Sequence, residues 1–272
     1  MDGRKVGVLA ATLLSVSALI GIFFVNPIAQ DPGYHSFSDQ RTLLEVPNFW
    51  NVMSNLPFLL VGMLGLYRLV RSASLNTINE LKPAYALFFA AVAWVALGSA
   101  YYHWTPNNIS LVWDRLPMTV AFMALFSIII GEYSSVTVGK KVLWPLVLIG
   151  VISVFYWFAT ERQGAGDLRL YALVQFLPML LIPIVLVSGD SRYDSAWGYW
   201  ALLGAYVIAK VLEHFDTIIF GEHHFISGHS LKHVAAAFGI MLLLDYYSRR
   251  TFVSTIRCLA QTTSNIKTAI DT

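Results

Sequence analysis

Apolar stretches of about twenty residues alternate with short polar or turn-forming stretches along nearly the whole chain. A helix that crosses the hydrocarbon core of a bilayer needs about 20 consecutive apolar residues. This length predicts eight membrane-spanning helices, over residues 6–25, 48–68, 84–103, 111–130, 142–160, 168–187, 197–215 and 229–247. Prolines, glycines and charges separate them, as at Asn26-Pro27 and Gly139-Lys140. The pattern predicts an all-α, polytopic membrane helix bundle with no soluble second domain.

Composition supports the same class. Hydrophobic residues make up 57% of the chain and charged residues only 12%, about half the charged share of a soluble domain. The net charge of +2 is too small to indicate a nucleic-acid partner, and no motif implies a protein partner. The only cysteine, Cys258, lies in the polar tail, so an intrachain disulfide is excluded.

The first apolar segment can be interpreted in two ways. Arg4 and Lys5 precede it, as they would precede either a retained helix or a signal peptide, but the run is long for a signal peptide. We therefore expect residues 1–28 to be an extra transmembrane helix or an uncleaved signal anchor. Residues 29–248 then form a seven-helix domain, and residues 249–272 form a polar tail.

The positions of Lys and Arg outside these segments predict the orientation. If the chain crosses the membrane eight times, only three of these basic residues lie on one side, at Arg41, Arg162 and Arg169. Twelve lie on the other side, at Arg4, Lys5, Arg68, Arg71, Lys82, Lys140, Lys141, Arg192, Arg249, Arg250, Arg257 and Lys267. Because cytoplasmic loops carry the excess of Lys and Arg, both termini are predicted to be cytoplasmic.

The candidate chemistry lies at helix ends on the predicted non-cytoplasmic side. Ser99 and His103, and likewise His229 and His233, are four residues apart and therefore share one helix face in each pair. Two imidazoles one turn apart can chelate a metal. His103 would complete a set of three histidines, which leaves a catalytic zinc one open position for water.

Asp114 begins the next apolar segment, and a short polar turn brings it back toward His103. Each residue alone has a structural interpretation: Ser99 could hydrogen-bond within its helix, His103 could lie at the membrane interface, and Asp114 could pair with Arg115. Ionisable groups inside membrane segments are costly and tend to mark sites. We therefore expect one shared site.

Other polar positions are less specific. The amides and serine of Asn48–Asn55 could cap a helix or support the site, and Asp39 with Glu45 could form a second cation site. Lys210 is expected to form an ion pair with Glu213 or His214. His223 and His224 are expected in a loop near the site. The segments 142–160 and 168–187 are expected to pack and to form a cavity wall.

These motifs resemble the alkaline ceramidase family, which belongs to a wider group of seven-helix membrane proteins that includes the adiponectin and progestin receptors. The resemblance covers about residues 39–247. It rests on spaced motifs: Asn51-Val52-Met53-Ser54-Asn55, Ser99-x-x-x-His103, Asp114 and His229-x-x-x-His233.

The resemblance implies that His103, His229 and His233 hold zinc, that Asp114 contacts the metal-bound water, and that Ser99 lies near the oxyanion. It also implies an acidic calcium-binding segment before the first core helix. Asn48 stands where an acidic residue would be expected, and this departure weighs against calcium.

The expected activity is hydrolysis of a ceramide-like lipid amide to a sphingoid base and a fatty acid by attack of metal-bound water. Three alternatives stay open. A zinc-stabilised receptor or scaffold could use the same ligands. Haem could bind through histidines, although the Ser–His–Asp pattern is unnecessary for that. A serine protease built on Ser99 would lack a recognisable nucleophile motif.

Overall fold

The computed structural model describes residues 3–71 and 75–253, and within them the chain is a bundle of α-helices without strands. The helices are α1 (Gly3–Gly21), α2 (Phe49–Met53), α3 (Leu56–Val70), α4 (Lys82–Trp104), α5 (Asn108–Tyr133), α6 (Val136–Arg162), α7 (Arg169–Ser188), α8 (Trp197–His214), α9 (Asp216–His223) and α10 (Gly228–Arg249). The all-α prediction is confirmed. Most of the predicted polar tail, with Cys258, lies outside the described residues.

Six stretches of the described chain are long and apolar enough to cross a membrane. They are Lys5–Phe24, Phe49–Val70, Asn79–Trp104, Asn108–Tyr133, Val136–Arg162 and Arg169–Ser188. The pair α9 and α10 makes a seventh if it counts as one span with a bend of 112°. The remaining predicted segment is helical as α8, and it contains Lys210 and Glu213. These lengths agree with a polytopic membrane bundle.

The predicted segment 48–68 is interrupted near its start, where α2 ends at Met53 and α3 begins at Leu56. Side chains take over backbone hydrogen bonds at this break: the Ser54 hydroxyl and the Asn55 amide both donate to the carbonyl of Asn51, at 3.2 and 2.8 Å. Pro57 in the first turn of α3 suits a helix start because it has no N–H to satisfy. The break leaves Ser54 and Asn55 buried inside the bundle.

The sequence predicted that His223 and His224 lie in a loop, and this prediction was wrong for His223, because α9 extends to that residue. Asp216 lies in the first turn of α9, where a negative charge is favourable for a helix. His224 then adopts a left-handed conformation with φ 53°, and the helix ends. The remaining loop before α10 is consequently short.

Helix α5 lies at the centre of the bundle and packs against α4, α6 and α7, while α10 packs against α8 and α3. Helix α1 packs against α7 and is otherwise almost entirely exposed. The segment that follows α1 passes the start of α7, where the Arg169 guanidinium donates to the Val25 carbonyl at 2.6 Å. The end of α4 and the starts of α5 and α10 meet at one end of the bundle.

Candidate metal centre and active site

Three buried histidines converge at this end of the bundle. His103 comes from the last turn of α4, and His229 and His233 come from the first turns of α10. Their possible ligand atoms all lie within 4.8 Å of one another, and the Nε2 atoms of His103 and His229 are 3.4 Å apart. Two nitrogens about 2 Å from one tetrahedral ion are separated by about this distance. The three imidazoles could therefore hold one metal ion.

Local contacts fix the start of α10 and so the position of His229. The Ser227 hydroxyl caps the helix by accepting from the Ser230 N–H at 3.1 Å, and the Asp216 carboxylate accepts from the His229 N–H at 2.6 Å. Gly228 allows the close approach of α8, because a methyl group there would collide with the Leu212 carbonyl. Three separate constraints thus orient this end of α10.

Polar residues of the α2–α3 region support the histidines. The Ser54 hydroxyl lies 2.8 Å from Nδ1 of His233, which leaves Nε2 of that ring free to bind a metal. The Asn48 side chain donates to the backbone carbonyl of His103 at 2.8 Å. Such outer hydrogen bonds orient metal-binding histidines in proteins. The stretch Asn48–Asn55 therefore supports the site, which was one of its two predicted roles.

The donor atoms of this site indicate which metals it could bind. Three imidazoles suit zinc, copper, iron or nickel, whereas calcium and magnesium prefer oxygen ligands. Nδ1 of His103 is buried without a hydrogen-bond partner among the described residues. The donor set is thus compatible with a transition metal.

Ser99 and Asp114 lie in the same cavity as the three histidines. Helices α4 and α5 approach closely at Gly98, where a methyl group would collide with the Trp113 carbonyl. This approach brings the buried Ser99 close to the start of α5, where Asp114 lines the same cavity. Arg115 instead donates to the Gln30 side chain at 2.6 Å. The structure brings all five predicted site residues together.

The cavity has an empty volume of about 370 Å³. Its wall also contains residues that the sequence did not single out, namely Tyr34, Phe58, Val95, Tyr102, Met118 and Lys232. Lys232 forms an ion pair with Glu213, which also pairs with Lys210 at 2.9 Å, so the predicted Lys210–Glu213 pair is confirmed. The position of the charged Lys232 between His229 and His233 could have indicated its place in the site. Tyr34 lies in a short 3-10 helix far from these residues in the sequence, and no motif there indicated a role.

A second, larger cavity of about 800 Å³ adjoins the first and is almost entirely apolar. Phe58, Val95 and Met118 line both cavities. Met179 and Ile182 of α7 form part of its wall, as predicted for that segment. The polar cavity with the histidines therefore opens toward an apolar chamber within the bundle.

At the other predicted cation site, formed by Asp39 and Glu45, the Asp39 carboxylate pairs with Arg41. The carboxylate of Asp39 accepts from the Arg41 guanidinium at 2.8 and 2.7 Å, and this hydrogen bonding raises the pKa of Arg41. In the part of the chain that the structure describes, the three histidines are the only group of three or more His, Cys, Asp or Glu side chains close enough to share a metal. His223 and His224 do not line the cavity.

A sequence model of the family described as Ceramidase matches residues 43–262, which is most of the chain. The chain belongs to the ceramidase family. The matched region contains every residue of the polar cavity except Tyr34. No curated protein matches the chain. The resemblance seen in the sequence is confirmed. Membership of this family implies that the protein is a membrane-embedded hydrolase acting on the amide bond of ceramide.

Proposed function

We propose that the protein is a zinc-dependent intramembrane hydrolase that cleaves the amide bond of ceramide-like lipids to a sphingoid base and a fatty acid. The observation that supports this most is the presence of three converging histidines, Ser99 and Asp114 in one cavity beside an apolar chamber. A lipid amide has the matching shape, with a polar reacting group joined to long chains.

His103, His229 and His233 would hold the zinc ion. Three neutral imidazoles leave the ion its full charge. When bound, zinc supplies a Lewis acid and lowers the pKa of a water molecule in its open position to about 7. Ser54 and Asn48 would keep the ligands in place through His233 and His103.

Asp114 acts as the general base. It orients the attacking water, accepts its proton and passes that proton to the nitrogen of the departing amine, so the protons balance over the reaction. Ser99 donates a hydrogen bond to the negative oxygen that forms on the amide carbon. The bond between the carbonyl carbon and the nitrogen breaks, and the acid and the amine are released.

Each of the two cavities would hold a different part of the substrate. The amide would lie in the polar cavity, and an acyl chain would extend past Phe58, Val95 and Met118 into the apolar chamber. The chamber surrounds that chain with apolar side chains in place of lipid tails, and a chain long enough to fill the chamber makes the most packing contacts. This arrangement favours long-chain amides over short ones.

The test measures metal and turnover on the same sample. Protein purified without chelators should contain about one zinc per chain and release a sphingoid base from ceramide. A chelator should stop the release, and added zinc should restore it. His229→Ala with His233→Ala should lose both zinc and turnover. Zinc-loaded wild-type protein that cleaves no ceramide would favour a zinc-stabilised receptor instead.

A further inference from the structure

Lys232 is a cavity residue that the hydrolytic steps above do not use. It lies on α10 between His229 and His233, and it lines the same cavity as Ser99 and Asp114. Only 16% of its side chain is exposed. Charged groups inside a membrane bundle are costly and mark functional positions. Its ammonium group therefore needs a role.

An ion pair with Glu213 does not account for the whole charge of Lys232. Glu213 also pairs with Lys210, three residues before it on α8, at 2.9 Å. Two ammonium groups share one carboxylate, so the trio carries one excess positive charge. The side chain of Lys210 is 41% exposed and does not line the polar cavity. Lys232 is the member of the trio that presents charge to the site.

The ammonium group also has spare hydrogen-bonding capacity. It carries three N–H donors and no acceptor, and Glu213 accepts one of them. The amide oxygen of a substrate would already face the metal centre and Ser99. What remains in the polar cavity is the head of the amine portion, next to the nitrogen.

We propose that Lys232 selects the substrate by donating a hydrogen bond to a hydroxyl group of the amine portion, next to the amide nitrogen. The site would then prefer hydroxylated amides, such as those of sphingoid bases, over plain N-alkyl amides. This assignment rests on the proposed hydrolase function and adds to it a residue that determines specificity. A hydrogen bond from a charged donor contributes about 10- to 100-fold to binding.

The matched variants are Lys232→Met and Lys210→Met. Each removes one of the two lysines that pair with Glu213, but only the first removes a cation from the cavity. The two substrates are N-oleoyl-sphingosine and N-oleoyl-octadec-4-en-2-amine, which have the same carbon skeleton and double bond and differ only in the two hydroxyl groups. Zinc content and the unfolding temperature of each variant report on folding.

In wild-type protein, kcat/KM should be higher for N-oleoyl-sphingosine. In Lys232→Met, this preference should fall about 10- to 100-fold, because kcat/KM should fall much more for N-oleoyl-sphingosine than for the hydroxyl-free amide. Lys210→Met should keep the wild-type preference. An equal loss on both substrates, or an unchanged preference, would overturn the assignment. If Lys232→Met does not fold, Lys232→Leu is measured in its place with the same criterion, because Leu also has no hydrogen-bond donor.

Binding to protein stripped of metal with EDTA separates this proposal from the hydrolase function. Lys232→Met should bind N-oleoyl-sphingosine more weakly than wild type and bind the hydroxyl-free amide equally well. That result would support the role of Lys232 even if the zinc-loaded protein cleaved neither amide. Equal binding of both lipids by wild-type protein would reject it.

Discussion

At the scale of single residues, Asp114 distinguishes an enzyme from a bundle that metal merely stabilises. It lies in the cavity with the histidines and Ser99, yet it is not one of the three clustered ligands. Asp114→Asn keeps the size of the side chain and removes the base. We expect this variant to fold and retain zinc but to lose about a hundredfold or more in ceramide turnover.

The measurement is release of the sphingoid base by wild type and variant at equal zinc content. Ser99→Ala serves for comparison and should lose less, because the metal centre still stabilises the oxyanion. If Asp114→Asn cleaves ceramide as fast as wild type, Asp114 is not the general base.

At the scale of helices, a buried ion pair joins the end of α5 to the end of α10. Glu132 accepts from the Arg250 guanidinium at 2.9 and 2.8 Å and from the Tyr199 hydroxyl at 2.7 Å. Both charged side chains are fully buried. Arg250 also lies 3.6 Å from the ring centre of Tyr193, in the connection that precedes α8. The pair therefore joins helices that are distant in sequence.

Glu132→Gln should destabilise the protein by about 3–5 kcal/mol, because it leaves the Arg250 charge buried without its carboxylate. The exposed pair between Asp245 and Arg249 on α10 is a matched control, and Asp245→Asn should cost at most about 1 kcal/mol. Denaturant unfolding in detergent measures both. Similar losses for the two variants would contradict the role assigned to the buried pair.

At the scale of the whole molecule, the excess of Lys and Arg leads us to propose cytoplasmic termini and a non-cytoplasmic active site. The contacts of α1 with α7, together with the hydrogen bond from Arg169 to Val25, support a retained first helix. The 67% exposed Phe225 lies in the loop beside the site, and Lys140 is exposed near the start of α6. Both are suited to labelling from solution.

Single cysteines in a Cys258→Ser background test this topology with a membrane-impermeant reagent. Phe225→Cys should label from the outside of sealed vesicles whose non-cytoplasmic face points outward. Lys140→Cys and Gly3→Cys should label only after permeabilisation. Labelling of Phe225→Cys and Lys140→Cys from the same side would reject the orientation, and loss of the Gly3→Cys label from the mature protein would show that α1 is cleaved.

The sequence alone determined the features that depend on local spacing. Apolar runs of membrane length set most helices, and the four-residue spacing placed His229 above His233 and Ser99 above His103. The Lys210–Glu213 pair followed from the same periodicity. A helix repeats regularly, so residues within one or two turns have fixed relative positions whatever surrounds them. The α9 helix escaped prediction because its eight residues, Asp216–His223, carry no strong periodic pattern.

Only the tertiary structure decided what meets across helices. His103 reaches His229 over 126 residues because the end of α4 lies beside the start of α10, and Ser54 reaches His233 because the helix is interrupted between α2 and α3. The apolar chamber and the place of Lys232 in the polar cavity likewise depend on how several helices pack. Spacing along one helix defines a face, but the partner of that face depends on side-chain packing over the entire bundle.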